Sequence, residues 1–182
     1  VVFLPIEAYD KRVRGVYIPP VIFESELSDV RARLAKAKSL GAEYALVGNI
    51  GALSLASDAG LIPVGDFRLN ITNSETRELY RDFGIEYAIL SPELTLPMAR
   101  DIGGGVITYG RIPLMLTERC FMKENFGCEK CSSVSLTDRT GAKFPMLYEY
   151  GHRNLILNSR PTYMGDKKDE LRSANIKHGH FI

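Results

Sequence analysis

The sequence predicts an α/β protein: parallel βα units of a partial TIM-like barrel over residues 1–116, then a small irregular or β-rich region over 117–182. Three observations predict it. Short β-branched runs alternate with helix-like stretches through the first part of the chain. Several of these runs are apolar on both faces, as the strands of a buried parallel sheet are. After residue 117 the alternation stops, and the cysteines, the histidines and a Gly/Asn/Asp-rich series of short segments follow.

The strand candidates are "VVFLPI" (1–6), "GVYIPPVIF" (15–23), "EYALVGNI" (43–50), "IPVGDFRLNI" (62–71), "IEYAILSPEL" (85–94) and "GGVITYGRIPL" (104–114). The later ones begin roughly 20 residues apart, which suits strand–helix–strand crossovers. Between them, Ser25 is placed to cap a helix with Leu27, Val30 and Leu34 on one face, Lys36 and Lys38 near its end and Gly41 as its stop. "GALSLASDAG" reads as a shorter helix. "TNSE" (72–75) reads as a capping box before Leu79, Tyr80 and Phe83, with Gly84 closing that helix. A closed barrel needs eight strands and typically ~250 residues, so these units make only part of one. Together with an opening Val1 in place of Met, this leads to the expectation that the chain is the C-terminal part of a longer protein. In the last region "FPMLYEYG" (144–151) and "NLILNS" (154–159) look like strands, "LTDRTG" (136–141) like a hairpin turn and "MGDKKDELR" (164–172) like a solvated helix start.

The composition is that of a globular protein: 182 residues, 45% hydrophobic and 25% charged, with a net charge of +1. That balance gives no support for a broad nucleic-acid-binding surface. No run approaches the ~18 apolar residues of a membrane span. Three clustered cysteines are not the framework of a secreted disulfide protein. A cytoplasmic location is the expectation.

In βα barrels the C-terminal strand ends gather around one mouth and carry the chemistry. Here those ends bring Asn49, then Asp66, Arg68 and Asn70, then Ser91 and Glu93, then Arg111. Taken singly each serves equally well as a cap or a solvated loop start. Taken together they suit a site facing an anionic or carbonyl-bearing ligand.

Cys120, Cys128 and Cys131 form C-x₇-C-x₂-C. Two intervening residues let both sulfurs of a C-x₂-C pair turn to one point, and thiolates suit Zn²⁺ or iron–sulfur clusters. His152, His178 or His180 would complete a four-coordinate set. The structural alternative is three reduced cysteines packed in a loop, or one disulfide with a spare thiol.

"LVGNIGAL" (46–53), "GDFRLNITNS" (65–74), "AILSPEL" (88–94), "YGRIPLMLTERC" (109–120), "LTDRTGAKFPM" (136–146) and "HRNLILNSRPTYMGD" (152–166) resemble, in order, the signature segments of the collagenase-like peptidase family, peptidase family U-thirty-two. The resemblance implies the later half of a TIM-like barrel plus a small C-terminal region. It also implies either a collagenase-like protease or an oxygen-independent hydroxylase of RNA bases or of a small aromatic ring, several of which hold an iron–sulfur cluster on four cysteines. Cys120, Cys128 and Cys131 match the cysteine segment; where a fourth cysteine is expected the chain reads "EYGHRN", which puts His152 nearest that place. The resemblance also directs Arg139 toward the site, and likewise Asn154, Asn158 and Arg160, for which strand-end hydrogen bonding is the alternative. The candidates are then Asp66, Glu93, Arg111 and Arg139 as catalytic residues and Asn49, Arg68, Asn70 and Asn158 as substrate-binding ones. Cys120, Cys128, Cys131 and His152 are the metal ligands, for an iron–sulfur cluster or, alternatively, zinc.

A peptidase needs an activated nucleophile with its base, or a metal-activated water. The barrel region has no His and no Cys, and no HExxH occurs. The chemistry therefore favours cluster-dependent hydroxylation over the family's nominal proteolysis, with a non-catalytic binding module on structural zinc as a third reading. The expected partners are the N-terminal remainder of the same protein and an RNA or small aromatic substrate, or a protein substrate for a peptidase; no membrane is expected.

Overall fold

The computed structural model describes residues 1–127 and 134–182. The chain divides into two compact units, Val1–Ile107 with Lys167–His180, and Thr108–Asp166 with Phe181–Ile182. None of the described helices is long and apolar enough to cross a membrane.

The first unit is a run of parallel strands. β1 (Phe3–Pro5), β2 (Gly15–Tyr17), β3 (Tyr44–Val47) and β4 (Ile62–Gly65) lie side by side in chain order, all parallel. The parallel order continues through single bridges, Gly65 to Ala88 and Ile89 to Gly105. The Gly65 N–H donates to Tyr87 O at 2.9 Å and the Leu90 N–H to Gly105 O at 2.8 Å, so the ladder runs on without a full strand. Gly65 is needed there: a Cβ on it would lie 2.8 Å from Ala88 Cβ. The βα order and the open parallel sheet are those expected for part of a barrel, and among the described residues the sheet does not close into one.

Helices α1 (Leu27–Ser39), α2 (Ala52–Asp58), α3 (Ser74–Asp82) and α4 (Leu96–Ile102) connect the strands. α1 buries Val30, Leu34 and Ala37, and Gly41 stops it at φ 104°. Its start differs from the expectation. Ser25 lies in a 3₁₀ turn (Glu24–Glu26), and the Glu26 carboxylate reaches back to accept from the Phe23 N–H at 2.8 Å. An acidic side chain serves an orphan donor there as well as a hydroxyl would. In α3 the cap is Asn73, whose Oδ1 accepts from the Thr76 N–H at 2.7 Å. Leu79 and Phe83 stay half exposed, while Arg77 is buried and donates to the Ile85 and Glu86 carbonyls at 3.0 and 2.6 Å. The strand expected over 62–71 ends at Gly65 and passes into a 3₁₀ turn, Phe67–Leu69. One core cluster joins Leu69, Ile71, Ile85, Ala88, Leu90 and Ala99. Ile176 packs on it, just beyond α6 (Lys168–Ser173).

In the second unit β6 (Pro113–Thr117), β9 (Arg153–Leu157), β8 (Lys143–Glu149) and β7 (Ser135–Thr137) form an antiparallel sheet in that order. The β7–β8 turn closes as its sequence predicts: Asp138 Oδ1 accepts from the Thr140 and Ala142 N–H groups at 2.8 and 2.9 Å, and Gly141 takes φ 85°. β10 (Thr162–Tyr163) pairs antiparallel with the end of β5 (Val106–Gly110) through Tyr163–Tyr109 and Thr162–Gly110. The short helix α5 (Phe121–Phe126) follows β6. A small core joins Cys120, Met146 and Ile156, with Val134 and Phe144 against it.

Candidate functional site

In the first unit the C-terminal strand ends do meet. Asp66 follows β4 and is 1% exposed; its Oδ1 accepts from the Phe67 N–H at 2.9 Å and its Oδ2 pairs with the Arg68 guanidinium. Arg68, 21% exposed, lies over the ring of Phe67 at 4.7 Å and over that of Tyr17, at the end of β2, at 5.6 Å. Gly48, after β3, leaves room for the pair: a Cβ on it would stand 3.2 Å from Asp66 Oδ2 and 3.3 Å from Arg68 Cβ. Asn70 ends the 3₁₀ turn in the left-handed region (φ 51°, ψ 48°) that Asn tolerates. The next residue, Ile71, accepts the Ser91 N–H at 3.1 Å, which ties in the following strand end.

Electrostatics sets the character of this corner. Burial pushes the Asp66 carboxyl above its ordinary value, against the pull of the Arg68 charge and the hydrogen bonds from Arg68 and Phe67. A carboxyl of this kind can hold a proton where an exposed one would not.

The other rim candidates hold backbone or face water. Asn49 accepts the Gly51 N–H at 2.8 Å and donates to Pro20 O at 3.2 Å, bridging the loops after β2 and β3. It lines a pocket of about 160 Å³ with Pro19, Pro20, Ile22, Leu27 and Leu55. Glu93 is exposed, and its N–H reaches Ser91 Oγ at 3.4 Å.

In the second unit Arg111 and Asn158 come together through backbone: the Arg111 guanidinium donates to Asn158 O at 2.8 Å and to Ser159 O, while the Asn158 N–H donates to Ile112 O at 2.9 Å. Arg139 is exposed on the β7–β8 turn. Of the metal candidates, Cys128 and Cys131 lie outside the described residues. Cys120 is a free, buried thiol. His152 is exposed in the left-handed region (φ 61°), its ring edge-on to Tyr148 at 5.8 Å. Among the described residues no three His, Cys, Asp or Glu side chains stand together as a metal site.

Two N–H donors converge on the Cys120 sulfur. Its Sγ accepts the Lys123 N–H at 3.4 Å, one turn into α5, and the Asn154 Nδ2–H at 3.5 Å. Asn154 sits on the inner strand β9, paired with Thr117 and Tyr148, and is wholly buried. Among the described residues its Oδ1 has no partner. Sulfurs that hold iron–sulfur clusters take such hydrogen bonds.

Similarity to known proteins is distant. The chain is 28% identical over 113 residues, 56% of its length, to a protein from Methanocaldococcus jannaschii named uncharacterized protease, and that alignment spans 28% of the relative. No family model matches the chain, and no solved structure does. This places the chain beside a protease-like protein and no closer.

Two features escaped the sequence reading. The wholly buried Arg153 holds Glu118 at 2.6 Å and the Tyr150 carbonyl at 3.0 Å, bracing the ends of β6 and β9. In the first unit, Tyr87 Oη and His180 Nε2 stand 2.8 Å apart, with His178 edge-on to the Tyr87 ring at 5.0 Å. The signal for the second, two histidines spaced i, i+2, was visible only as possible metal ligands.

Proposed function

We propose that this chain carries the metal-holding region and part of the barrel rim of an oxygen-independent hydroxylase of the collagenase-like peptidase family. Its substrate would be an RNA base or a small aromatic ring. The observation that carries the reading is Cys120, buried and receiving two N–H donors with its sulfur. Cys120, Cys128 and Cys131, with His152 as fourth ligand, would hold an iron–sulfur cluster, or zinc in its place. A bound cluster would supply one-electron transfer.

The rest falls to the chain's own groups. Asp66, with its proton affinity raised by burial, holds or releases a proton at its carboxyl oxygens under the guanidinium of Arg68. Asn49 presents an amide beside its pocket, and Glu93 an exposed carboxylate at the neighbouring strand end. In the second unit Arg111 ties down the carbonyls that follow β9, keeping Asn158 in place.

The second reading is a peptidase, supported by the printed name of the archaeal relative. One experiment separates the two. The full-length protein, purified without oxygen, is incubated with RNA, with a hydroxybenzoate ring and with unfolded collagen, with ¹⁸O-labelled water as the oxygen source and an added two-electron acceptor to take up the electrons of hydroxylation. The proposal expects one oxygen atom added to the RNA or the ring, and loss of that product in Cys128→Ser. Peptide cleavage that survives Cys128→Ser, with no oxygen-atom transfer, would replace it with the peptidase reading.

A further inference from the structure

We infer that Tyr109, Tyr163 and Phe181 form a stacking platform for unpaired bases of an RNA strand, with Arg111 and Arg160 beside it for the phosphates. The inference rests on the reading of RNA as the substrate, and it assigns a binding surface to residues that neither the rim nor the cysteine segment includes.

The strands bring the rings together. Tyr109 lies on β5, between β10 and β11 (Gly179–Phe181). Tyr163 is its register partner on β10, and the Ile182 N–H, next to Phe181, donates to Tyr109 O at 3.0 Å. The Tyr163 and Phe181 rings meet that of Tyr109 edge-on, with centroids 6.4 and 6.0 Å away and the planes at 83° in both pairs. Edge-to-face contacts hold rings in place without covering them, and all three residues are at least half exposed. Gly165 seats the Tyr163 ring against backbone: a Cβ there would stand 2.6 Å from Tyr163 Cζ. Rings of this kind are ordinarily buried, so three left open in one row mark an interaction surface.

Charge decides what the row accepts. Residues 108–113 and 158–165, which carry Tyr109 and Tyr163, contain Arg111 and Arg160 as their charged side chains and no carboxylate; the next along the chain is Asp166. Arg111 gives its guanidinium to the neutral carbonyls of Asn158 and Ser159, which also pins the loop leading to Arg160. Arg160 is exposed, and neither arginine has a carboxylate partner among the described residues. Open π faces beside uncompensated cations suit a polyanion built of planar units, as a nucleic-acid strand is. The spacing selects its state: centroid separations of 6.0 and 6.4 Å exceed the ~3.4 Å rise between stacked bases, so bases on neighbouring rings are splayed apart, as in a single strand. The patch is local, in keeping with a net charge of +1.

The test follows the fluorescence anisotropy of a labelled, unstructured oligouridylate with the full-length protein at several salt concentrations, alongside thermal melts of each variant. Tyr163→Leu keeps apolar area but no ring, and its binding should weaken about 5–150-fold. Tyr163→Phe keeps the ring and should bind like wild type. Arg160→Gln should bind more weakly and with a shallower salt dependence. Should Tyr163→Leu fail to fold, Tyr109→Leu repeats the test at the centre of the row. Wild-type protein that does not bind the oligouridylate, or wild-type affinity in the folded leucine variant, overturns the inference. So does an RNA duplex bound as tightly as the single strand, or single-stranded DNA bound more tightly than the RNA. A dimer that Tyr163→Leu dissociates while RNA binding stays unchanged would overturn it too, by assigning the face to a second copy. Ring-dependent RNA binding by a protein that adds no oxygen atom to RNA would sink the hydroxylase reading and leave this one standing.

Discussion

Replacing Arg68 by methionine would strand the Asp66 carboxylate in the protein interior. Methionine keeps the apolar stem against Phe67 and Tyr17 but removes the guanidinium paired with Asp66 Oδ2. What remains is the Phe67 N–H at 2.9 Å on Oδ1. Breaking a fully buried ion pair from one side costs about 3–5 kcal/mol. Arg68 is 21% exposed, and the carboxyl can escape by taking a proton, so about 3 kcal/mol at pH 7 is the expected loss. In a chain of this size each kcal/mol moves the midpoint by about 2–4 °C, so Tm should fall by roughly 6–12 °C.

The pH dependence follows from the direction of the Asp66 shift. Burial already lifts this carboxyl, and removing Arg68 removes the largest opposing influence. A carboxyl that holds its proton more tightly folded than unfolded contributes stability at low pH and loses it as pH rises through the folded value. The Arg68→Met deficit should therefore shrink as pH falls from 7 toward the ordinary carboxylate range. Asp66→Asn alone should stay within about 1 kcal/mol of wild type, because the cost of burying the charge offsets the pair. Adding it to Arg68→Met should recover most of the loss. Urea and thermal melts of the four proteins at pH 7 and pH 5 complete the cycle. An Arg68→Met protein as stable as wild type at pH 7, or a deficit that does not shrink with acid, would refute the reasoning.

Gly65→Ala should destabilise by about 1–3 kcal/mol in urea melts, because the new methyl would sit 2.8 Å from Ala88 Cβ and wedge the bridge that extends the parallel sheet. Asn73→Ala should cost about 1 kcal/mol, by loss of the cap on the Thr76 N–H, with Asn73→Asp close to neutral. His180 is held below its ordinary value, first by burial and then by the charge of His178, so its contribution is complete above the unfolded value and lost as pH falls below about 6.5. Hydrogen exchange at the Val106 amide, which donates to His178 O at 3.2 Å, should accelerate below that pH in wild type. That acceleration should be damped in His180→Gln.

The parallel half of this fold was legible because short apolar runs such as "YALV" and "IPVG" alternate with helix-like stretches at a spacing that suits parallel crossovers. Its punctuation was legible too, at Gly41 and in the Asp138–Gly141 turn, where backbone geometry dictates the residue type. Less visible was where a strand stops. "GDFRLNI" alternates well enough to pass as strand, yet the Asp66 side chain captures the Phe67 N–H and turns the chain at once. That turn is what joins Asp66 to Arg68, so the two rim residues that pair most closely were named without their relation. Partners far apart in sequence left no local trace: Glu118 and Arg153 stand 35 residues apart, Cys120 and Asn154 34, Tyr87 and His180 93. Asn154, read either as facing the site or as a strand-end hydrogen-bonding group, lies on an inner strand with a thiol as its neighbour.

The claim on which the functional account turns is that Cys120 is a ligand of a redox metal. Elemental analysis of the full-length protein purified without oxygen tests it most directly, with wild type compared to Cys120→Ser. The account predicts iron and inorganic sulfide in wild type and their loss in the variant with the fold intact. Wild-type protein without iron, or a Cys120→Ser variant that keeps its iron, would contradict it.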